Sequence, residues 1–155
     1  MHPHYDRRVT PIKPHPISAR RPVPASIARP HYVDRPAPER YTGSHVQSAE
    51  TIELMRESSR IASGAMYAAA TAIAPGVTTD QLDAVAHEYM LDHGAYPSSL
   101  GYRGFPKACC TSVNEVICHG IPDARPLEDG DLVKIDVTAF KNGVHGDNCG
   151  TFLCG

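Results

Sequence analysis

The chain has 155 residues, 41% hydrophobic and 21% charged, the balance of a soluble globular protein with room for one domain and an appendage. The formal charge of −2 hides a division: residues 1–40 hold nine of the fourteen prolines and eight of the fifteen Lys+Arg but three of the seventeen Asp+Glu. That is a basic, proline-rich arm of formal charge +5 on an acidic domain, and it excludes neither an enzyme nor a binding module. The N-terminus lacks the apolar core of a secretory signal, and the longest apolar run, Gly64–Ala74, is about half of a membrane span. A soluble, cytoplasmic protein is expected, with no membrane partner.

Residues 1–45 are expected to be a disordered arm or an extended belt on the domain surface. Each proline removes a backbone donor and biases its predecessor to extended geometry, and up to residue 44 there is no Leu or Phe to bury. Pro11-Ile-Lys-Pro14 fits P-x-x-P, a weak match among so many prolines. The histidines of this stretch, His2, His4, His15, His31 and His45, are too scattered for a defined metal site. The charge of the arm is compatible with docking on ribosomal RNA; a solvated tail or a belt is the alternative.

The folded domain is expected to begin near residue 46. Ile52, Met55, Ser59, Ala62, Met66, Ala69 and Ile73 recur at three- and four-residue spacings, predicting a helix from about Ser48 to Ala74 that Pro75-Gly76 stops. Thr78 with Gln81 forms a capping box for a second helix carrying Leu82, Val85, Ala86, Tyr89 and Met90, which Gly94 ends. His87 and His93 are read as solvated helix residues. Strand-like runs follow at Ala108–Val113, Val116–His119, Leu132–Phe140 and Val144–Leu153, with a polar loop from Pro122 to Gly130. The five cysteines, Cys109, Cys110, Cys118, Cys149 and Cys154, show no C-x-x-C spacing and read as reduced thiols.

Asn142-Gly143 between the last two runs is the strongest short-range hairpin signal. A two-residue loop there pairs Lys141 with Val144, Phe140 with His145 and Thr138 with Asp147. Because side chains alternate along a strand, Asp136 shares a face with Thr138 and so with Asp147, roughly 7–8 Å away as a diagonal neighbour. Two carboxylates aimed at one spot repel unless a proton or a cation lies between them. A divalent metal site, a carboxylate dyad for glycoside cleavage, and two merely solvated aspartates are the readings the spacing allows. The near absence of aromatic platforms (no Trp, three Phe) disfavours the second.

Several motifs in order carry a family resemblance: Ala74-Pro-Gly-Val-Thr-Thr79, Gly101-Tyr-Arg-Gly-Phe-Pro-Lys107, Asn114-Glu-Val-Ile-Cys-His-Gly-Ile-Pro122, Asp129-Gly-Asp-Leu-Val-Lys-Ile-Asp-Val-Thr138 and Gly143-Val-His-Gly-Asp147. Residues 46–155 resemble the N-terminal part of type I methionine aminopeptidases, and Arg21-Pro-Val-Pro-Ala-Ser-Ile-Ala-Arg-Pro30 resembles the extended N-terminus of actinobacterial members. The resemblance implies an α+β fold: the first half of a pita-bread architecture, two helices packed on a curved antiparallel sheet, with the extended arm added. It implies metal-dependent removal of the initiator methionine from the N-termini of nascent polypeptides by a cytoplasmic, monomeric enzyme that does not bind DNA.

By the same resemblance Asp136 ligates one metal, Asp147 bridges two, His119 assists substrate and transition state, and Tyr102, Phe105 and Cys110 line the pocket for the methionine side chain. His145 has no ligand role. The cofactors implied are two divalent ions, of Co, Mn, Fe, Zn or Ni. The family's ligands run Asp, Asp, His, Glu, Glu, so residues 1–155 hold part of the set, and the expectation is a fragment without activity of its own. A non-catalytic homologue acting as a binding module is the alternative. Lys134 and the pair Asn148-Cys149 depart from the family pattern beside the two aspartates.

Overall fold

Ser48 accepts a hydrogen bond from the Thr51 amide at 3.1 Å and starts helix α1, Ala49–Thr71. This and everything below concern the computed structural model, which describes residues 11–33, 35, 36 and 38–155; the first ten residues, with His2 and His4, lie outside the described residues. Helix α2, Thr79–Asp92, opens with the Thr78–Gln81 capping box, and Gly94 follows it with φ +66°. Leu82, Ala86 and Met90 of α2 pack against Ile61, Ala62, Ala65, Met66 and Ala69 of α1. The predicted α1 stripe is buried from Ala62 to Ala69 only. Ile52 and Met55, in the first two turns, stay 41% and 39% exposed because they precede the part of the helix that lies on the core cluster.

Four strands form an antiparallel sheet: β1 (Tyr96–Pro97), β2 (Cys110–Val113), β3 (Leu132–Lys141) and β4 (Val144–Leu153). β3 is central. It pairs with β4 along its whole length, with β2 from Val133 to Asp136, and with β1 at Ala139 and Phe140. Val133, Ile135, Val137 and Ala139 face the helices and are fully buried. The expected α+β architecture, two helices on an antiparallel sheet, is the one observed.

The hairpin has the expected register. Asn142 and Gly143 both take positive φ, +52° and +83°, as a twisted two-residue turn requires, and Lys141 pairs with Val144. Gly146 permits the close approach of α1 to β4: a Cβ there would lie 2.1 Å from the Ser59 amide nitrogen. Val116–His119 is not a strand. Asn114 (φ +51°) and His119 (φ +54°) are left-handed and break the pleat, and the segment folds back over β2, with Thr111 donating to the Gly120 carbonyl at 2.9 Å. A short 3₁₀ turn, Tyr102–Gly104, contains left-handed Arg103.

Residues 11–33 run along the domain rather than away from it. Ala124 donates to the Pro16 carbonyl at 3.0 Å, the His15 amide donates to Asp123 at 2.8 Å, and Arg21 pairs with Asp80 and Asp83 at 3.0 Å each. Ile27 and Tyr32 are buried, Ile27 in a second apolar cluster with Tyr96 and Leu100. This segment corrects the reading of His87: it is 1% exposed, not solvated. Thr79, Asp83 and His87 lie four residues apart on one face of α2, and that face is covered where Asp83 meets Arg21 and the Ala108–Cys109 backbone. Among the described residues no helix is long and apolar enough to cross a membrane.

Candidate metal centre

The helices occupy one face of the sheet, and the chemistry lies on the other. Strand alternation turns Asp136 and Thr138 of β3 away from the helices, and the pairing of Thr138 with Asp147 brings the second carboxylate to the same face. Gly146 and Asn148, the neighbours of Asp147, point to α1 instead: the Asn148 amide donates to the Ser59 carbonyl at 3.0 Å. Packing of both neighbours on the helix agrees with the face that the register gives Asp147.

Thr138 Oγ1 donates to Asp147 Oδ1 at 2.7 Å, holding one carboxylate oxygen. Burial, and then the charge of Asp147, push the Asp136 carboxyl above its ordinary range, while His119 and Lys134 pull it down. The two acids therefore sense each other, and His119 lies near enough to act on Asp136. Lys134 does not neutralise the pair by a direct bond; its ammonium donates to the Ile117 carbonyl.

Asp136 is flanked across the sheet by Cys110 on β2 and Cys149 on β4. Burial, followed by Asp136, Cys118, Asp147 and Cys149, pushes the Cys110 thiol up to about 12, so it stays a neutral, polarizable wall rather than a thiolate. Exposed His119 takes its left-handed backbone in the loop that folds over β2. Asp136, Asp147, His119 and Cys110 thus share one neighbourhood. Tyr102 and Phe105 stand at the 3₁₀ turn after β1, where the Phe105 amide donates to the Tyr102 carbonyl at 2.9 Å; the Tyr102 ring packs on Tyr32 at 5.2 Å. His145 pairs with Phe140 and lies 3.0 Å from the Ser98 hydroxyl.

In the sequence the register marks Thr138 and Cys149, whereas nothing marks Tyr32 or Ser98. The hairpin register already sets Cys149 opposite Asp136 and gives Thr138 a partner in Asp147. Tyr32 and Ser98 belong to no motif.

Two carboxylates on one face, their mutual repulsion and a nearby imidazole suit a hard divalent cation. The donors present fit such an ion as two ligands of a larger set: among the described residues, no group of three or more His, Cys, Asp or Glu is arranged to hold a metal.

The two helices thus cover one face of the sheet, and Asp136 and Asp147 lie together on the other. The profile of Metallopeptidase family M24 matches residues 53–155, two thirds of the chain, and the chain belongs to that family. It is 59% identical over 146 residues to methionine aminopeptidase 2 of Mycobacterium tuberculosis, covering 94% of this chain and 51% of that protein. It is 53% identical to the chloroplastic/mitochondrial methionine aminopeptidase 1D of Arabidopsis thaliana, over 93% of this chain and 41% of the relative. The methionine aminopeptidase structure from Rickettsia prowazekii superposes with a TM-score of 0.69 at 37% identity, over 71% of this chain and 44% of that one. The Thermotoga maritima enzyme gives 0.70 at 29% identity, over 72% and 45%. The chain spans about half the length of the relatives it matches.

Proposed function

We propose that this chain forms the N-terminal half of a methionine aminopeptidase catalytic domain, serving metal-dependent removal of the initiator methionine from nascent polypeptides. The observation that supports this most is the hairpin register, which sets Asp136 and Asp147 on one open face. In this reading Asp136 and Asp147 would hold the divalent cation. A divalent ion held there supplies a Lewis acid for a peptide carbonyl and lowers the pKa of water.

The remaining roles fall to the chain's own side chains. His119, exposed beside Asp136, donates to or accepts from the substrate at the scissile peptide. Cys110 keeps its proton and, with Tyr102 and Phe105, offers a polarizable and aromatic wall suited to a thioether. Thr138 holds one oxygen of Asp147 and leaves the other for the cation. With two ligands, residues 1–155 alone should release no methionine from Met-Ala-Ser in the presence of Mn²⁺ or Co²⁺.

A chimera tests the reading. Residues 1–155 joined to the C-terminal half of the Mycobacterium tuberculosis relative should release methionine from Met-Ala-Ser, and Asp147→Ala should abolish it. A folded chimera that binds Mn²⁺ but is inactive would favour the binding-module alternative.

Docking of the arm on ribosomal RNA is a separate proposal, resting on its formal charge. Part of that charge is engaged internally, Arg21 with Asp80 and Asp83 and Arg35 with Glu39. Co-sedimentation with ribosomes that falls with salt and is lost on deleting residues 1–40 tests it.

A further inference from the structure

Tyr32 comes from the extended N-terminal segment, far in sequence from either aspartate, yet it is 5% exposed and packed into the edge of the candidate site. Its hydroxyl donates to the Ser98 carbonyl at 2.7 Å. Burial pushes the phenol up to about 12, so the group keeps its proton and remains a donor. The Ser98 amide donates to the Thr138 carbonyl at 2.8 Å, and Thr138 Oγ1 donates to Asp147 at 2.7 Å. On the other flank the Tyr32 ring stacks on His145, with centroids 6.0 Å apart and planes 17° apart. His145 stands two residues before Asp147, on the same face of β4, and meets the Ser98 hydroxyl at 3.0 Å.

Ser98 needs such an anchor. β1 has two residues, pairs with β3 only at Phe140 and Ala139, and includes Pro97, which has no amide to donate. A two-residue strand fixes its end poorly, and Tyr32 ties that end down where it meets Thr138.

The geometry points to Tyr32 as a positioning residue that, through Ser98 and Thr138 on one side and His145 on the other, holds the Asp147 carboxylate in place for a divalent cation. This rests on the reading of Asp136 and Asp147 as cation ligands. Outer partners of metal ligands commonly change affinity by about tenfold or more, and one lying three hydrogen bonds from the ligand belongs at the lower end.

The test is Mn²⁺ titration of the 155-residue chain, with free ion followed by electron paramagnetic resonance. Four proteins are compared: wild type, Tyr32→Phe, Asp147→Asn and Ile27→Val. Tyr32→Phe should weaken Mn²⁺ binding about three- to tenfold. Asp147→Asn should abolish it. Ile27→Val, a packing loss elsewhere in the same segment that spares the hydroxyl, should leave it unchanged. Wild-type affinity in Tyr32→Phe, or equal weakening by Ile27→Val, overturns the positioning role while leaving the ligand reading intact. Mn²⁺ binding that ignores Asp147→Asn, or no binding by wild type, overturns both.

Discussion

Arg21 donates to Asp83 at 3.0 Å, and the same carboxylate accepts the amides of Ala108 at 2.7 Å and Cys109 at 3.1 Å, just before β2. One buried acid on α2 therefore joins the N-terminal segment to the strand that carries Cys110. Burial pushes the Asp83 carboxyl up, and the two amides and Arg21 restrain it. Arg21 also bonds Asp80 through its second nitrogen at 3.0 Å, a fork that a lysine cannot reproduce.

Arg21→Gln should destabilise the chain by on the order of 2 kcal/mol in urea unfolding, less than for a fully buried pair because Arg21 keeps 22% of its side chain exposed. Arg21→Lys should recover only part of the loss. A cost near zero for Arg21→Gln would mean that the segment lies on the domain without contributing to its stability.

Asp80 makes the fold acid-sensitive. Burial raises its pKa, but hydrogen bonds from Arg21, Lys107 and Ser18 outweigh burial and hold it well below the ordinary carboxylate value of 3.8. As pH falls the unfolded chain takes up this proton first, so the stabilisation is complete above about 3.8 and is lost below it. Asp80→Asn should lower stability at pH 7 and flatten the loss between pH 5 and pH 3. The comparison is urea unfolding of both proteins at these pH values.

His87 acts at higher pH. Burial lowers its proton affinity despite Glu88 and Asp83, and neither ring nitrogen has a hydrogen-bond partner among the described residues. The unfolded chain binds the proton more readily, so stability declines as pH drops below the ordinary value of 6.5 toward the lowered one. His87→Leu removes two unsatisfied polar atoms and should be neutral or stabilising at pH 7. It should also abolish the slope of unfolding free energy between pH 7 and 5 that is assigned to this residue. A slope unchanged in His87→Leu refutes the assignment.

The contrast between Asp147 and His87 shows how much of the molecule was legible in its sequence. The face of Asp147 follows from local rules: Asn142-Gly143 sets the turn, the turn sets the register, and the two-residue period sets the face. The caps at Ser48 and Thr78 are likewise local. His87 has the same helical geometry whether covered or bare, and the proline-rich segment whose Arg21 meets Asp83 one turn away has no periodicity to reveal where it docks. Tyr32 and Ile27 are anchors for the same reason that they were invisible, since they are isolated apolar residues among prolines. The composition of Val116–His119 suits a strand, but left-handed Asn114 and His119 forbid one.

Gly146 couples the packing of α1 to the orientation of Asp147. A methyl group there would lie 2.1 Å from the Ser59 nitrogen and 2.3 Å from the Ser58 carbonyl carbon, both backbone atoms of a helix that cannot step aside as a side chain could. Gly146→Ala must lift α1 from β4 or twist β4, at a cost of about 1–3 kcal/mol for overpacking. The neighbouring contact from the Asn148 amide to the Ser59 carbonyl would lengthen as well. Because Asp147 adjoins the displaced residue, Mn²⁺ affinity should fall along with stability. At Gly143, where a Cβ meets nothing within 4 Å, substitution by Ala should instead cost only the strain of its positive φ and leave Mn²⁺ affinity unchanged. Paired urea unfolding and Mn²⁺ titration of the two variants would show whether α1, rather than the turn, sets the carboxylate's aim; equal effects on Mn²⁺ would assign that role to the hairpin alone.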